Sequence, residues 1–481
     1  MLLFIIILYF IGMAAIGIYY YKRTQNLSDY ILGGRSLNPW VSAMSAQASD
    51  MSGWLLLGLP GYAFVAGVEA FWISAGLALG TYLNWKFTAK RLRVFSEKTD
   101  DALTLSSYFQ KRFKSKSVSL RLLTSVFILF FFLTYTAAGL VASAKLFNTI
   151  FDVPYLWALS IGLFAVVSYT FLGGFMAVSW TDLFQGILMF FALLIVPFVV
   201  MGEIGGMGSA IDVIRSIDPS LLQLSIGAVG ILNVISLAAW GLGYFGQPHI
   251  LARFMAARDP EEIKFSRRIA MVWVIITLAA AVIVGMLGRV YYNNVAGFAS
   301  ETVFIQLVAD LFPALIAGVL LSAVLAAIMS TADSQLLVSS SAFVEDIYNV
   351  LAKKKLSDVA QVWMGRFVVL VVAVIAYFLA MDPDSTVLGL VAYAWAGLGG
   401  TFGPAVLFSL FYRKATYKGT FAGILLGGLT VIVWRNFLSG GIFDLYEIVP
   451  GFIVSSLVIY LVSKYDTKNH DEEYFEELLK E

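Results

Sequence analysis

The feature that most constrains this chain is a series of apolar runs, each about twenty residues long, separated by short polar loops. A helix of about that length crosses the hydrocarbon core of a bilayer. Charged residues make up only 13% of the chain and apolar residues 60%, more apolar side chains than a water-soluble fold of 481 residues can bury. We therefore predict an all-α integral membrane protein with about thirteen transmembrane helices. They are predicted near residues 1–21, 40–62, 68–87, 121–147, 155–175, 179–201, 226–247, 268–290, 303–345, 362–380, 386–411, 418–436 and 446–463.

Several classes of protein are disfavoured by what the chain lacks. Cysteine is absent, which excludes disulfides, thiol catalysis and thiolate metal sites. Two histidines, His249 and His470, are too few for a histidine metal cluster, and a net charge of +1 gives no field that attracts nucleic acid. The run at 1–21 has neither the basic start nor the cleavage site of a signal peptide, so it is expected to remain as a helix. The whole of 1–481 is predicted to form one membrane domain, with no nucleophile–base pair typical of an enzyme.

The distribution of basic residues predicts the orientation. With the N-terminus outside, all Lys and Arg residues fall on the cytoplasmic side except Lys145, Arg215, Arg289 and Arg435. Ten lie in the stretch 86–121, and three more are consecutive at 353–355. Because cytoplasmic loops carry an excess of Lys and Arg, this split supports both the helix count and a cytoplasmic tail at 464–481.

Two of the apolar runs are interrupted by glycine and proline in matching positions. The run at 40–62 contains ASDMSGWLLLGLPGY, and the run at 226–247 ends in WGLGYFGQPH. Five helices are predicted from 40 to 201 and five from 226 to 411, so the second half would be inverted relative to the first. Paired interrupted helices in two inverted halves indicate a solute site near the bilayer midplane, where unwound carbonyls act as ligands.

Polar residues within the apolar runs identify candidate site residues. A carboxylate at the centre of a membrane helix costs about 2.5–3.5 kcal/mol on insertion scales, so it normally lines a cavity or meets a partner. Asp50 lies among Ser and Gln residues in the first interrupted helix. Ser330, Asp333 and Ser334 share one face of the ninth helix by their spacing. Asp182, near the inner end of its helix, is compatible with either a functional role or an ordinary helix N-terminal carboxylate.

Five stretches resemble the solute:sodium symporter family and, within it, the sodium/proline symporters. The resemblance runs from about residue 5 to 463 and implies inverted five-helix repeats of the leucine-transporter type, with an additional N-terminal helix and two C-terminal helices at 418–463. The stretches are DYILGGRSL (29–37), ASDMSGWLLLGLPG (48–61), GGFMAVSWTD (173–182), WGLGYFGQPHILARFMA (240–256) and LVAYAWAGLG (390–399).

The resemblance also implies roles for particular residues. Asp50 is expected to be needed for sodium coupling, and Arg35 to belong to a cytoplasmic gate. The expected sodium ligands are the carbonyls of Ala48, Met51 and Ala327 and the hydroxyls of Ser330 and Thr331. The expected substrate-binding residues are Ser52, Tyr135, Trp240, Tyr244 and Pro248.

One position departs from the pattern expected of proline symporters. Where Asp333 stands, a small hydroxyl residue is usual, and relatives with a second sodium site use the equivalent of Asp182. We therefore expect a second, weaker cation site formed by Asp182, Asp333 and Ser334. Two carboxylates that close repel each other unless one is protonated or a cation lies between them. The alternative is that an inner-loop base holds Asp333 in a structural role.

Together these observations predict a secondary active transporter that takes up L-proline with sodium by alternating access through the cell membrane. The cotransported ion, the small solute and the lipid bilayer are the predicted partners, without an obligatory protein partner. A sodium symporter for another amino acid, a betaine, a carboxylate or a sugar acid is the principal alternative. A membrane sensor derived from such a carrier is a further one, although no segment of 1–481 is predicted to form a soluble output domain.

Overall fold

The computed structural model describes residues 1–21, 23, 26–171, 174–293, 298–352, 356–467 and 470–480. Two features of the sequence fall outside these residues. They are the three consecutive lysines at 353–355 and the first glycine of the GGFMAVSWTD stretch.

The described residues are almost entirely helical. The only β feature among them is an isolated parallel bridge between Leu37 and Ala257. Ten helical segments are long and apolar enough to cross a membrane, and two shorter apolar helices occupy Tyr155–Ser168 and Ile231–Gly246. The ten segments are Leu2–Tyr20, Trp54–Lys98, Ser119–Phe151, Phe175–Glu203, Pro260–Tyr291, Ala314–Leu351, Asp358–Leu379, Val387–Phe411, Tyr417–Phe437 and Ile448–Tyr465.

The helices of the first part of the chain include several breaks. The α-helices are Leu2–Tyr21, Leu27–Leu32, Pro39–Asp50, Leu59–Ala66, Phe71–Leu83, Ala89–Lys98, Leu105–Arg112, Ser119–Phe151, Tyr155–Thr170, Phe175–Glu203 and Gly206–Ile217. Short 3-10 or π segments lie at Gly33–Arg35, Trp54–Gly58, Gly67–Ala70, Asn84–Thr88 and Pro219–Leu222.

The second part of the chain also consists of α-helices interrupted by short segments. Its α-helices are Ile226–Val229, Ile231–Ala238, Pro248–Met255, Ile263–Tyr291, Val303–Leu311, Ala314–Ser341, Asn349–Leu351, Asp358–Leu379, Val387–Phe411, Tyr417–Phe437, Ile448–Tyr465 and Glu472–Leu479. Its 3-10 or π segments are Ala239–Gly246, Pro260–Glu262, Ser300–Thr302, Ala342–Tyr348 and Gly441–Asp444.

The run predicted as one helix at 303–345 is divided. Val303–Leu311 ends before an extended Phe312, and Ala314–Ser341 begins after Pro313. A residue that precedes proline is disfavoured in helical conformation, which explains the break. The prediction of a single unbroken helix was therefore wrong.

The first interrupted helix breaks immediately after Asp50. Met51 has φ −79° and ψ 73°, outside the helical region. The Ser52 amide then donates to the Asp50 carbonyl at 2.9 Å. In a continuous helix that amide would donate to Ala48, so the turn leaves the Ala48 carbonyl available for other donors.

The second interrupted helix breaks at Gln247. A tight 3-10 segment, Ala239–Gly246, is followed by extended Gln247 and by Pro248, which opens the helix Pro248–Met255. Gly243 has to be glycine because a Cβ there would overlap the Trp395 indole. The break thus combines the proline effect on the preceding residue with close packing against Val387–Phe411.

The two breaks lie inside a shell of longer helices. Pro39–Asp50 packs against Phe175–Glu203, Ile263–Tyr291, Ala314–Ser341 and Pro248–Met255. The polar residues of the first break are therefore enclosed by several helices from both parts of the chain.

Candidate ion and solute site

The Ala48 carbonyl, which accepts no hydrogen bond from the Ser52 amide, lies at the centre of the proposed ion site. Ser330 donates its hydroxyl to this carbonyl at 2.7 Å, and Thr331 does so at 3.4 Å. Ser330 also lies 3.2 Å from the carbonyl of Ala327 on its own helix. The break in Pro39–Asp50 and the helix Ala314–Ser341 thus bring these oxygens together.

All of these residues are buried. Ser330 and Thr331, which contribute hydroxyls, are at most 2% exposed. Met51 follows in the non-helical link and is also buried. Neutral carbonyl and hydroxyl oxygens are ligands for hard cations. Four of the five expected sodium ligands are within hydrogen-bonding distance of another member, an arrangement suited to an ion. Their role as sodium ligands stays a prediction.

Asp50 joins this cluster to the second break. Tyr244 donates its hydroxyl to Asp50 Oδ2 at 2.6 Å. The Asp50 carbonyl accepts from Tyr135 at 3.3 Å and from the Trp54 indole at 3.1 Å. Within the described part of the chain, Asp50 Oδ1 has no hydrogen-bond partner. The carboxylate therefore retains one oxygen for a ligand or a change of conformation.

An aromatic wall stands next to Asp50. The Trp240 ring stacks on Tyr446 with centroids 5.5 Å apart, and it lies 6.0 Å from Trp54. Its carbonyl accepts from the Trp395 indole at 2.7 Å. Trp240 and Tyr244 are only 6% and 1% exposed, so this wall is closed to solvent in the present conformation.

The two remaining substrate candidates occupy the breaks themselves. Ser52 is in the link after Asp50, where its hydroxyl accepts from the Trp54 amide at 3.4 Å. Pro248 is buried at the start of its helix, and the following residue, His249, packs edge-on against Tyr135 at 6.0 Å. The structure thus brings the expected substrate residues around the two helix breaks, although substrate binding by any of them stays a prediction.

The carboxylates expected to form a second cation site lie near the buried guanidinium of Arg253, which the expected site did not include. Asp182 Oδ2 accepts from Ser45 at 2.7 Å and forms an ion pair with Arg253 at 3.2 Å. Arg253 also donates to Ser334 at 2.6 Å and is attracted electrostatically by Asp333. Arg253, which the sequence places among the inner-loop bases, thus acts on both carboxylates, as in the alternative of an inner-loop base beside Asp333. Its ion pair with Asp182 was not expected.

Arg35 lies apart from the ion site, at the predicted cytoplasmic end. Its guanidinium donates to Asp101 at 2.8 Å, to Ser96 at 3.0 Å and to the carbonyls of Met255 and Ala102 at 2.6 Å and 3.0 Å. Arg35 therefore ties the first loop to the end of the second interrupted helix. The geometry is compatible with the expected gate role.

A second set of contacts lies at the opposite, predicted outer end. The Glu301 carboxylate pairs with Lys145 at 2.5 Å and accepts from the backbone amides of Val387 and Leu388 at 2.9 Å each. Those amides begin the helix Val387–Phe411, where a carboxylate is electrostatically favourable. Such a tie thus lies towards each predicted end of the site, and the site residues themselves are buried in this conformation.

Several residues of these networks were not singled out from the sequence. An aromatic residue in an apolar run is usually packing, so Trp54, Trp395 and Tyr446 gave no distinct signal. Arg253 was counted among the inner-loop bases, although it follows an interrupted helix within the apolar stretch HILARFMA. Glu301 lies in the predicted loop between 268–290 and 303–345, where no pattern distinguished it. The position of Arg253 beside a break was the one usable signal.

Comparison with protein families places this arrangement in context. Residues 30–427 match the model of the sodium:solute symporter family. The chain is 51% identical over 461 residues to a sodium/proline symporter of Salmonella typhimurium, covering 95% of this chain and 91% of that protein. It is 49% identical to a high-affinity proline transporter of Bacillus subtilis, covering 94% and 95%.

A solved structure has the same fold. A Na⁺-coupled sialic acid symporter in a substrate-bound, outward-open state superposes with a TM-score of 0.80, covering 96% of this chain and 98% of that one. Sequence identity between the two is only 20%. The likeness therefore concerns the helical architecture.

Proposed function

The chain belongs to the sodium:solute symporter family, and on that basis we propose that it takes up L-proline together with sodium by alternating access. It is a multi-pass membrane transporter, not an enzyme. The near full-length identity to proline carriers supports proline over another solute. A carrier for a different amino acid, a betaine, a carboxylate or a sugar acid is the alternative that the experiment below tests.

The observation that carries the proposed coupling is the hydrogen bond between Tyr244 and Asp50. Asp50 ends the helix that supplies the Ala48 carbonyl, and Tyr244 belongs to the second break. A sodium ion that draws in the oxygens of Ala48, Ser330 and Thr331 would fix the position of Asp50. Fixing Asp50 in turn orients Tyr244 and the neighbouring Trp240, so ion binding prepares the solute site.

The proposed solute pocket suits a small cyclic amino acid. Trp240 and Tyr244 offer flat apolar walls for the pyrrolidine ring. Unwound backbone and helix ends at the two breaks offer polar groups for the amine and the carboxylate. Ser52, Tyr135 and Pro248 complete this proposed pocket.

Sodium supplies enough free energy for uptake with one ion per solute. One cation that crosses about 100 mV gains about 2.3 kcal/mol. A tenfold sodium gradient adds about 1.4 kcal/mol. Together they sustain an accumulation on the order of 500-fold.

The proposed transport cycle opens one end at a time. Breaking the Glu301 contacts would open the site to the outside, and breaking the Arg35 contacts would open it to the cytoplasm. We further propose about thirteen crossings, inverted repeats at 40–201 and 226–411, an outside N-terminus and a cytoplasmic tail. The twelve apolar helical segments among the described residues support this count, because Trp54–Lys98 is 45 residues long and its backbone leaves the helical region at Gly67.

Competition for uptake tests the proposed substrate. Unlabelled L-proline should abolish uptake of labelled proline in cells that express the protein, whereas a sugar, a betaine or sialic acid should leave it unchanged. Cells that express the Trp240→Ala variant serve as a control for transport through this pocket. Competition by sialic acid or a betaine, with none by proline, would assign the protein to another substrate.

A further inference from the structure

A buried charge cluster joins four helices on the predicted cytoplasmic side of the two breaks. Arg253 is on Pro248–Met255 and Asp182 on Phe175–Glu203. Ser45 and Ser334 come from Pro39–Asp50 and Ala314–Ser341. All four side chains are 0% exposed, so none of these charges or hydroxyls is solvated by bulk water.

Every nitrogen of the Arg253 guanidinium is used. Nε donates to Ser45 at 3.0 Å, and Nη1 donates to the His249 carbonyl at 2.9 Å. Nη2 donates both to Asp182 at 3.2 Å and to Ser334 at 2.6 Å. The planar fork of an arginine matches this set of fixed oxygens, which a lysine ammonium would match less completely.

The oxygens around the guanidinium are those that a small metal cation would also bind. They are a carboxylate and two hydroxyls, and Asp182 Oδ1 has no hydrogen-bond partner among the described residues. Asp333 is on the same helix as Ser334 and acts electrostatically on Arg253. Because the carboxylates of Asp182 and Asp333 are both buried, their negative charge has to be compensated by a positive charge within the cluster.

We propose that Arg253 is the built-in cation of this cluster, occupying the place that a second sodium ion would otherwise take. Because the guanidinium is tethered to Pro248–Met255, it neutralises Asp182 without being transported. The protein therefore moves a single sodium ion with each solute. This inference rests on the proposed sodium-coupled function and concerns the ion count of the same carrier.

The tether also has a consequence for the transport cycle. Ser45 and Arg253 are on the halves of the two interrupted helices that are predicted to face inward. These halves must separate if the site opens to the cytoplasm. Asp182 accepts hydrogen bonds from both residues, and Ser334 accepts one from Arg253. Opening would therefore exchange these contacts for water, without release of an ion from this cluster.

Sodium binding to purified full-length protein tests the proposal. The number of radioactive sodium ions bound per protein should be one in the wild type and two in Arg253→Gln. The variant keeps the oxygens of Asp182, Ser45 and Ser334 but lacks the positive charge. Arg253→Lys, the matched control that keeps the charge, should bind one ion, as should the double variant Arg253→Gln/Asp182→Asn.

Thermal unfolding in sodium chloride and in choline chloride supplies a second measurement. A ligand that binds only the folded state raises the melting temperature. Sodium should therefore stabilise Arg253→Gln more than it stabilises the wild type. A variant that is unfolded in both salts would count against the proposal, because sodium should replace the lost charge.

Three results would overturn the inference: one bound ion in Arg253→Gln, two in the double variant, or two in the wild type with one lost on Asp182→Asn. Failure of the proposed function looks different, because the wild type would then bind no sodium. The Thr331→Ala variant separates the two sites further. Combined with Arg253→Gln, it should leave only the ion at Asp182.

Discussion

Removing the hydroxyl of Ser330 is the sharpest test of the proposed sodium site. This hydroxyl lies 2.7 Å from the Ala48 carbonyl and 3.2 Å from the Ala327 carbonyl, and the residue is fully buried. Ser330→Ala deletes one oxygen from the cluster and nothing else. Thr331 still donates to Ala48, so the backbone carbonyl keeps one partner.

The expected magnitude follows from the loss of one oxygen ligand in a buried site. A hydrogen bond to a charged group contributes about 1.5–3 kcal/mol, which we take as the scale for one oxygen on a sodium ion. Each 1.4 kcal/mol is a tenfold change in affinity. The sodium concentration for half-maximal uptake should thus rise by about 10- to 150-fold.

The assay is the initial rate of proline uptake into proteoliposomes over a range of external sodium concentrations. Ser322→Ala is a matched control, because Ser322 is on the same helix and is also buried. Its hydroxyl donates to the Gly318 carbonyl of that helix at 2.8 Å. The control should keep the wild-type sodium dependence. Equal sodium dependence in both variants would refute the assignment of Ser330.

Other perturbations test other parts of the account. Asp50→Asn should abolish sodium-dependent uptake with little change in melting temperature, and retained coupling would show that the carboxylate is dispensable. Because the chain has no cysteine, a single cysteine at position 357 should react with an impermeant reagent only after permeabilisation. One at position 382 should react in intact cells, and the reverse pattern would invert the topology. Gly243→Ala should destabilise the protein by about 1–3 kcal/mol through overpacking, whereas Gly227→Ala, with open space around it, should not. Similar melting temperatures would contradict the packing argument.

Much of the helical architecture was accessible from the sequence because bilayer thickness imposes a length on each apolar run. The two interrupted helices were found for a local reason, since proline and clustered glycine act on the adjacent backbone. The division at Phe312 and Pro313 was missed. The apolar run is continuous there, so it was predicted as one helix. Pro313 nevertheless disfavours the helical conformation of Phe312, as proline does elsewhere in the chain.

The candidate site was only partly predictable. The family resemblance identified Ala48, Ser330 and Thr331 as candidates. Their oxygens come together because the Ser52 amide donates to the Asp50 carbonyl and leaves that of Ala48 available. No sequence pattern predicts this turn. The partner of Asp182 was missed for a different reason. Arg253 is distant in sequence and belongs to a segment that resembled a loop, so its charge was assigned to the cytoplasmic surface. Only tertiary packing shows that the side chain is buried.

The central claim is that proline uptake is driven by sodium, and one measurement tests it directly. Purified protein in proteoliposomes should accumulate labelled L-proline above equilibrium when sodium is high outside and the interior is electrically negative. With choline in place of sodium, or with equal sodium and no potential, proline should at most equilibrate. Accumulation that is the same without a sodium gradient and potential, or no proline uptake at all, would contradict the account.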